Sequence, residues 1–365
     1  MLKKSMRVAC SIVMLMISGA CCLFGWQTPA RNIFKVDPLS AQVYLLSTET
    51  EGGENGEALG NVIFYVSGEG VLVVDDQFER ERRSSETVDI AQGILAQIRK
   101  VTGQPIRYVI NTHHHADHAG GNLTFGKLAP IVAQINERKN LIVSRDAVLS
   151  RLPGQITRTE TDLAAAQTAN DGIKSGQLRE QLARQKLQLD LAQSPDFEKT
   201  LPSITYGTEL QIHLGGEEIR LYHFGPAHTD GDTLVYLVNA GIAHWGDVFE
   251  TNSNPAIVLA GGASTRGWIE FLDQGLKAVG PNAKMVPGHG HLATASDVLK
   301  VKQYFVDLRG AVGREIRAGK TKEQAVESAV SQFPQYVTFR PGPERFKTNV
   351  GTIYDEMKAE AARAQ

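Results

Sequence analysis

The chain has 365 residues, 38 basic and 40 acidic side chains, and a formal net charge of −2. That balance, with 7% aromatic residues and no basic stripe interleaved with aromatics, argues against nucleic acid or an anionic membrane surface as a partner. The length suits one large α/β domain or two small ones, with ample material for a core.

Lys3, Lys4 and Arg7 precede an apolar stretch, Val8 to Phe24, and Ser18-Gly19-Ala20 offers a small-residue cleavage site. Residues 1–22 are therefore expected to be a secretory signal peptide, with the mature protein exported, to the periplasm of a bacterium. All three cysteines, Cys10, Cys21 and Cys22, lie in or beside this segment, so the remainder carries no disulfide framework. Ser18-Gly19-Ala20-Cys21 also resembles a lipoprotein cleavage site. A lipid anchor at Cys21 is the one membrane attachment the sequence offers.

Val43 to Leu46 reads as a strand and Glu51 to Gly60, rich in Gly and Glu, as a loop. Asn61 to Ser67 and Val71 to Val74 form a hairpin around Gly68-Glu69-Gly70. Ser85 to Val101 has helical apolar spacing at Val88, Ile90, Ile94, Leu95 and Ile98. Pro105 to Asn111 is the next strand. Residues 155–200 are rich in Ala, Gln, Leu, Lys and Arg, and are expected to form a helical insertion that acts either as a lid or as an outer spacer. Strands resume at Leu210 to Ile212, Ile219 to Tyr222 and Thr233 to Val238. A helix follows over Trp268 to Val279, and a short strand over Lys284 to Val286. Ala295 to Arg317, Lys322 to Ser331 and Phe346 to Ala362 are expected to be helices packed on the same domain.

The chemistry is concentrated in His113-His114-His115-Ala116-Asp117-His118, directly after an apolar strand and before Gly120-Gly121. Three imidazoles and a carboxylate suit zinc or a similar borderline metal. In an extended backbone His113 and His115 face one way and His114 the other, while Asp117 and His118 can reach a second ion. Three more candidates each follow an apolar run and stand next to Gly or Pro: His228, Asp247 and His289. Of the five other histidines, His114 is expected to pack behind the site or orient a ligand, His213 to be exposed and His223 to be structural. His244 and His291 are candidates for a supporting contact and a pocket wall. Asp75 and Asp76 close the strand Gly70 to Val74, a place where Asp is ordinary turn chemistry.

Thr112 to Gly121, Gly225 to Asp232, Trp245 to Phe249 and Pro287 to Gly290 together resemble the metallo-β-lactamase superfamily. The resemblance implies an α/β fold, the αββα metallo-β-lactamase sandwich, over residues 33–315, with a C-terminal helical extension over 316–365. It also implies one metal held by His113, His115 and His228, and a second held by Asp117, His118 and His289. Asp247 matches the carboxylate that bridges both ions in glyoxalase II-like members. No cysteine follows Cys22, which disfavours the cysteine-ligated lactamase subclasses. The ligand set is similar to that of B3-like and glyoxalase II-like members.

Two zinc ions are the expected cofactor, with iron or manganese as the alternatives. Paired cations lower the pKa of a shared water toward 7 and polarise a carbonyl, with Asp117 orienting the attack. The expected reaction is hydrolysis of an amide, lactam or ester bond in a small molecule. A thioesterase similar to glyoxalase II and an iron-dependent oxidoreductase similar to persulfide dioxygenase are the alternatives. No serine-elbow motif or phosphate-binding glycine loop competes.

Overall fold

The structure, a computed structural model, describes residues 33–48, 59–83 and 85–363. The expected signal segment, Cys21 and most of the Glu51 to Gly60 loop lie outside the described residues. The first sheet contains β1 (Phe34–Pro38), β2 (Val43–Thr48), β3 (Val62–Ser67) and β4 (Gly70–Val74). After the small hairpin β5 (Arg80–Arg83) and β6 (Glu86–Asp89), it continues through β7 (Ile106–Ile110), β8 (Ile131–Gln134) and β9 (Ile204–Tyr206). Its seven strands run β1-β2-β3-β4-β7-β8-β9, antiparallel as far as β4 and parallel beyond. The second sheet has five strands: β10 (Glu209–Leu214), β11 (Glu217–Tyr222), β12 (Leu234–Leu237), β13 (Ile242–His244) and β14 (Lys284–Val286).

Alternation along the strands builds four layers. In β3, Ile63 and Tyr65 point into a core shared with Ile219, Leu221, Val235 and Leu237 of the other sheet. Val62 and Phe64 point the opposite way, onto helix α1 (Ile90–Val101), where Ile90, Ile94, Leu95 and Ile98 are buried. The outer face of the second sheet packs Ala243, Trp245 and Met285 against the helices α7 (Thr265–Val279) and α8 (Ala295–Arg317). Phe346, Val350 and Ile353 of α11 (Pro343–Arg363), with α9 (Lys322–Gln332) and α10 (Pro334–Val337), join that same core. The αββα sandwich read from the sequence is thus the fold observed.

Two helix boundaries differ from expectation. Residues 86–89 pair with 80–83 as a hairpin, and α1 begins only at Ile90, where the Asp89 side chain accepts the Gln92 N–H as a cap. The helical stretch read from composition as 155–200 begins instead at Ile135. Here α4 (Ile135–Thr168) and α5 (Gly172–Ala192) form a long hairpin, ahead of the short α6 (Phe197–Thr200). Leu178, Leu182, Leu187, Leu189 and Leu191 are only half-buried. The α4 start touches the site: Asn136 and Asn140 donate to the Asp230 carbonyl and carboxylate at 2.9 and 2.6 Å. The far part of α5 is held to β5 by Arg82–Glu180 and Arg80–Asp190 pairs. No helix of the described residues is long and apolar enough to cross a membrane.

Candidate metal centre

The site forms where several strands end along one edge of the sandwich, the place where open α/β sheets present their ligand crevice. Strand β4 delivers Asp75 and Asp76, and β7 delivers Thr112 to His115. The short helices α2 (Ala116–Ala119) and α3 (Asn122–Phe125) follow, and α2 carries Asp117 and His118. His228 stands in the turn before β12, Asp247 in the 3-10 turn after β13, and His289 after β14. Strand β7 stops at Ile110, so residues 112–114 form a bend rather than the extended run expected, and His115 returns to extended backbone ahead of α2.

All seven candidate ligands nonetheless meet. His113, His115, His228 and Asp247 make one group and Asp117, His118 and His289 another, with the ligand atoms of each group within 4.8 Å of one another. Asp247 touches both groups: its Oδ2 lies 3.7 and 3.6 Å from His113 and His228 Nε2, and its Oδ1 lies 3.1 and 3.4 Å from His118 and His289 Nε2. Two glycines permit this. Gly246 has φ +52°, and a Cβ there would stand 2.6 Å from Thr112 Oγ1. A Cβ on Gly288 would stand 2.0 Å from Asp247 Oδ1.

The outer nitrogens reveal what the inner ones do. His118 Nδ1 lies 2.8 Å from Asp75 Oδ2, a carboxylate that can only accept, so the proton sits on Nδ1 and the Nε2 lone pair points inward. His228 Nδ1 faces the Ala256 carbonyl at 3.2 Å with the same consequence. Thr112 Oγ1 donates to Asp75 at 2.8 Å and so accepts from His113 Nδ1 at 3.1 Å, which again aims Nε2 inward. The inward nitrogens stand close together: His113 Nε2 and His228 Nε2 are 3.1 and 3.0 Å from His115 Nδ1, and His118 Nε2 is 3.2 Å from His289 Nε2. Nitrogens crowded this closely need a proton or a metal ion between them. The donor set and its outer partners therefore fit metal binding.

The electrostatics separate the two groups: the first is neutral, and in the second His118 and His289 hold protons that a metal would have to displace. Burial lowers His113 well below its ordinary value and brings His115 and His228 to about 4, so these rings are neutral and able to ligate. Burial opposes charge on His118 and His289 as well, but Asp247 and Asp117 outweigh it and raise both. Burial likewise pushes Asp117 up, yet His118 and His289 hold it at about 2.

Asp75, rather than Asp76, supports His118; Asp76 instead accepts the Gly121 N–H at 2.9 Å. His114 joins neither metal group, and its Nδ1 is buried without a hydrogen bond. His223 Nδ1 donates to the Asp232 carbonyl at 2.8 Å, and His213 is exposed. His244 braces backbone rather than a ligand side chain: Nε2 donates to the Asn61 carbonyl at 3.0 Å and Nδ1 accepts the Gly246 N–H at 3.2 Å. Sequence reasoning missed Asn61, whose side chain donates to the Pro287 and Gly290 carbonyls at 2.9 Å each and so clamps the His289 turn. An asparagine at a strand entry carries no signal of that reach. Thr112 as the relay between Asp75 and His113 was also missed.

A family model for the metallo-beta-lactamase superfamily matches residues 55–291. The chain is 22% identical over 272 residues to a linear primary-alkylsulfatase from Pseudomonas sp. (strain ATCC 19151). That alignment covers 71% of this chain and 48% of the other, so the chain spans about half the length of the curated relative it matches. A metallo-beta-lactamase from Pontibacter korlensis superposes with a TM-score of 0.50 at 17% identity, covering 74% of this chain and 98% of that one. The DIM-1 metallo-beta-lactamase exposed to ceftazidime gives 0.51 at 14% identity, covering 75% and 97%. At these identities the superpositions speak to the fold alone.

Proposed function

The chain belongs to the metallo-beta-lactamase superfamily, and on that footing we propose that it is an exported hydrolase holding two zinc ions, which opens an amide, lactam or ester bond of a small molecule. The observation that carries this reading is the convergence of ring nitrogens from five imidazoles around the shared carboxylate of Asp247. His113 Nε2, His115 Nδ1 and His228 Nε2 would hold one ion, and Asp117, His118 Nε2 and His289 Nε2 the other. When bound, such a pair supplies Lewis acidity and ionises water near neutral pH.

The chain's own groups then have separate tasks. Asp247 is buried, and it stays ionised because His118 and His289 outweigh the effect of burial. It balances charge between the two groups. Asp117 keeps 29% side-chain exposure, against 7% for Asp247, so it is the carboxylate that meets solvent and substrate. Held at about 2, it is too weakly basic to store a proton near neutrality, so its task is to accept a hydrogen bond and orient the attack. Trp268 stands edge-on to His228 at 5.5 Å and, fully buried, keeps water from behind that ring.

Metal analysis of the purified mature protein, with a screen of cephalosporins, carboxylic esters and thioesters, tests the proposal. The expected result is two zinc ions per chain and turnover that stops in chelator and returns with zinc. Full activity of metal-free protein would overturn it. Sulfate monoesters belong in the same screen, because the curated relative is named an alkylsulfatase. Iron in place of zinc, with persulfide-dependent oxygen uptake, would instead identify the oxidoreductase alternative. Export and the Cys21 anchor are tested by mass spectrometry of the mature amino terminus.

A further inference from the structure

The helical insertion was expected to be a lid or an outer spacer, yet its root touches the loop that presents His228. Residues 228–232 are neither helix nor strand. Bonds inside the loop give it shape: the Asp232 carboxylate accepts the Thr229 N–H at 2.9 Å and the Thr229 hydroxyl at 2.6 Å. Its two ends are tied by backbone. Ser264 N–H donates to the Ala227 carbonyl at 2.9 Å, and Thr233 N–H to the Thr112 carbonyl at 2.8 Å.

The middle of the loop is held by α4. Asn136 and Asn140, one helical turn apart and so on one face, both reach Asp230. Asn136 Nδ2 donates to its carbonyl at 2.9 Å and Asn140 Nδ2 to its carboxylate at 2.6 Å. A carboxylate only accepts, which fixes the Asn140 amide with its NH2 toward Asp230 and makes the bond charge-assisted. Between these contacts a Cβ on Gly231 would stand 2.9 Å from the Glu137 nitrogen, so the glycine lets the helix come this close.

The other side of Asp230 leads back to the ligand. A Cβ on Gly262, at φ +85°, would stand 2.8 Å from Asp230 Cβ. The segment that ends at Gly262 also carries Ala256, whose carbonyl faces His228 Nδ1 at 3.2 Å. Asp230 thus lies between the root of α4 and the segment that fixes the His228 ring. The second metal group takes its outer support elsewhere, from Asp75 at His118 and from Asn61 at the His289 turn.

We propose that Asn136 and Asn140 are positioning residues, through which the helical insertion braces the His228 loop and sets the affinity of the first metal group while leaving the second alone. The inference rests on the reading of a paired-metal centre. Its physical basis is tolerance: metal–ligand distances hold to about ±0.2 Å, less than a loop freed at its middle would shift.

The test is competition titration of full-length mature protein with zinc against a chromophoric chelator, in two backgrounds. His118→Ala keeps the first group and His115→Ala keeps the second. Asn140→Leu should weaken zinc about tenfold in the first background, the low end for loss of an outer partner, and by less than about twofold in the second. Asn140→Asp sets two carboxylates face to face. It should lose at least as much, although added negative charge by itself favours a cation. Combining Asn140→Asp with Asp230→Asn reverses donor and acceptor at unchanged net charge, and should return the affinity to within about twofold of that background. The visible spectrum of cobalt-loaded protein, read without either alanine substitution, should change with Asn140→Leu and be restored in the exchanged pair. Equal losses in the two backgrounds, no loss, tighter binding with Asn140→Asp, or an exchanged pair that recovers nothing overturns the brace. A parent that binds no zinc defeats the brace and the metal-centre reading together; a parent that binds zinc with an affinity unmoved by Asn140→Leu defeats the brace alone.

Discussion

Replacing Asp75 by Asn should weaken the second ion, which it reaches directly through His118, more than the first, which it reaches only through Thr112 and His113. Asp75 is fully buried and accepts three hydrogen bonds: from Thr112 N at 2.7 Å, Thr112 Oγ1 at 2.8 Å and His118 Nδ1 at 2.8 Å. Its φ of +61° is one that asparagine tolerates, so the backbone survives the change. The new amide oxygen can keep the Thr112 N–H, but the amide NH2 then faces the two other donors. His118 answers by moving its proton to Nε2, the atom that faces His289 and Asp247. A protonated Nε2 cannot ligate. Losing a partner of this kind costs about 10–100-fold in metal affinity, roughly 1.4–2.8 kcal/mol. Competition titration against a chromophoric zinc chelator, with zinc per chain counted by mass spectrometry, reads the effect. Thr112→Val gives the contrast: it removes the acceptor for His113 Nδ1 and should weaken the first ion instead. Wild-type affinity for both ions in Asp75→Asn would refute the claim that the outer hydrogen bonds set which nitrogen faces the metal.

Gly288→Ala should drive a methyl group onto Asp247 Oδ1, 2.0 Å from the ideal Cβ position, and onto the Gly246 carbonyl carbon at 2.6 Å. The expected cost is about 1–3 kcal/mol in urea unfolding, together with zinc content below that of the parent; an unchanged midpoint would show that the turn can yield. Asp297 gives a pH prediction away from the metals. Lys300 and Thr294 hold its carboxyl at about 2, below the ordinary value of 3.8. A depressed folded-state pKa means that its contribution is complete above the ordinary value and is lost as pH falls toward about 2. The melting-temperature difference between the parent and Asp297→Asn should therefore be constant from about pH 5 upward and shrink below about pH 3.5; a difference that grows on acidification would contradict the sign.

The architecture was legible through the family resemblance, and the strands and ligand candidates through local signals. Alternation in Val62 to Ser67 separates an inner from an outer face, and a strand-end motif such as His113 to His118 packs several donors into a few residues. His228, Asp247 and His289 showed themselves because each stands where an apolar run breaks at Gly or Pro. Helix α4 was misplaced by twenty residues because its stretch from Ile135 is mostly exposed or half-buried and has no clear apolar stripe. The false start of α1 has a related cause: Val88 of the short strand β6 falls in helical step with Ile90 and Ile94 of the capped helix, so the two read as one amphipathic run.

What the tertiary structure alone decided are the contacts between segments far apart along the chain. Asp75 and Asp76 are indistinguishable as neighbours in sequence, and only the path of β4 beside β7 puts the first against His118 and the second against Gly121. The direction of each imidazole depends on a partner as distant as Ala256 from His228 or Asp75 from His118. Tyr304 of α8 and Tyr336 of α10 line the same cavity as Phe249 and Thr251 only because those helices fold back over the turn after Asp247. Chain-local patterning chooses which donors exist, whereas proton placement and pocket shape follow from packing distances of a few ångströms, which no local pattern encodes.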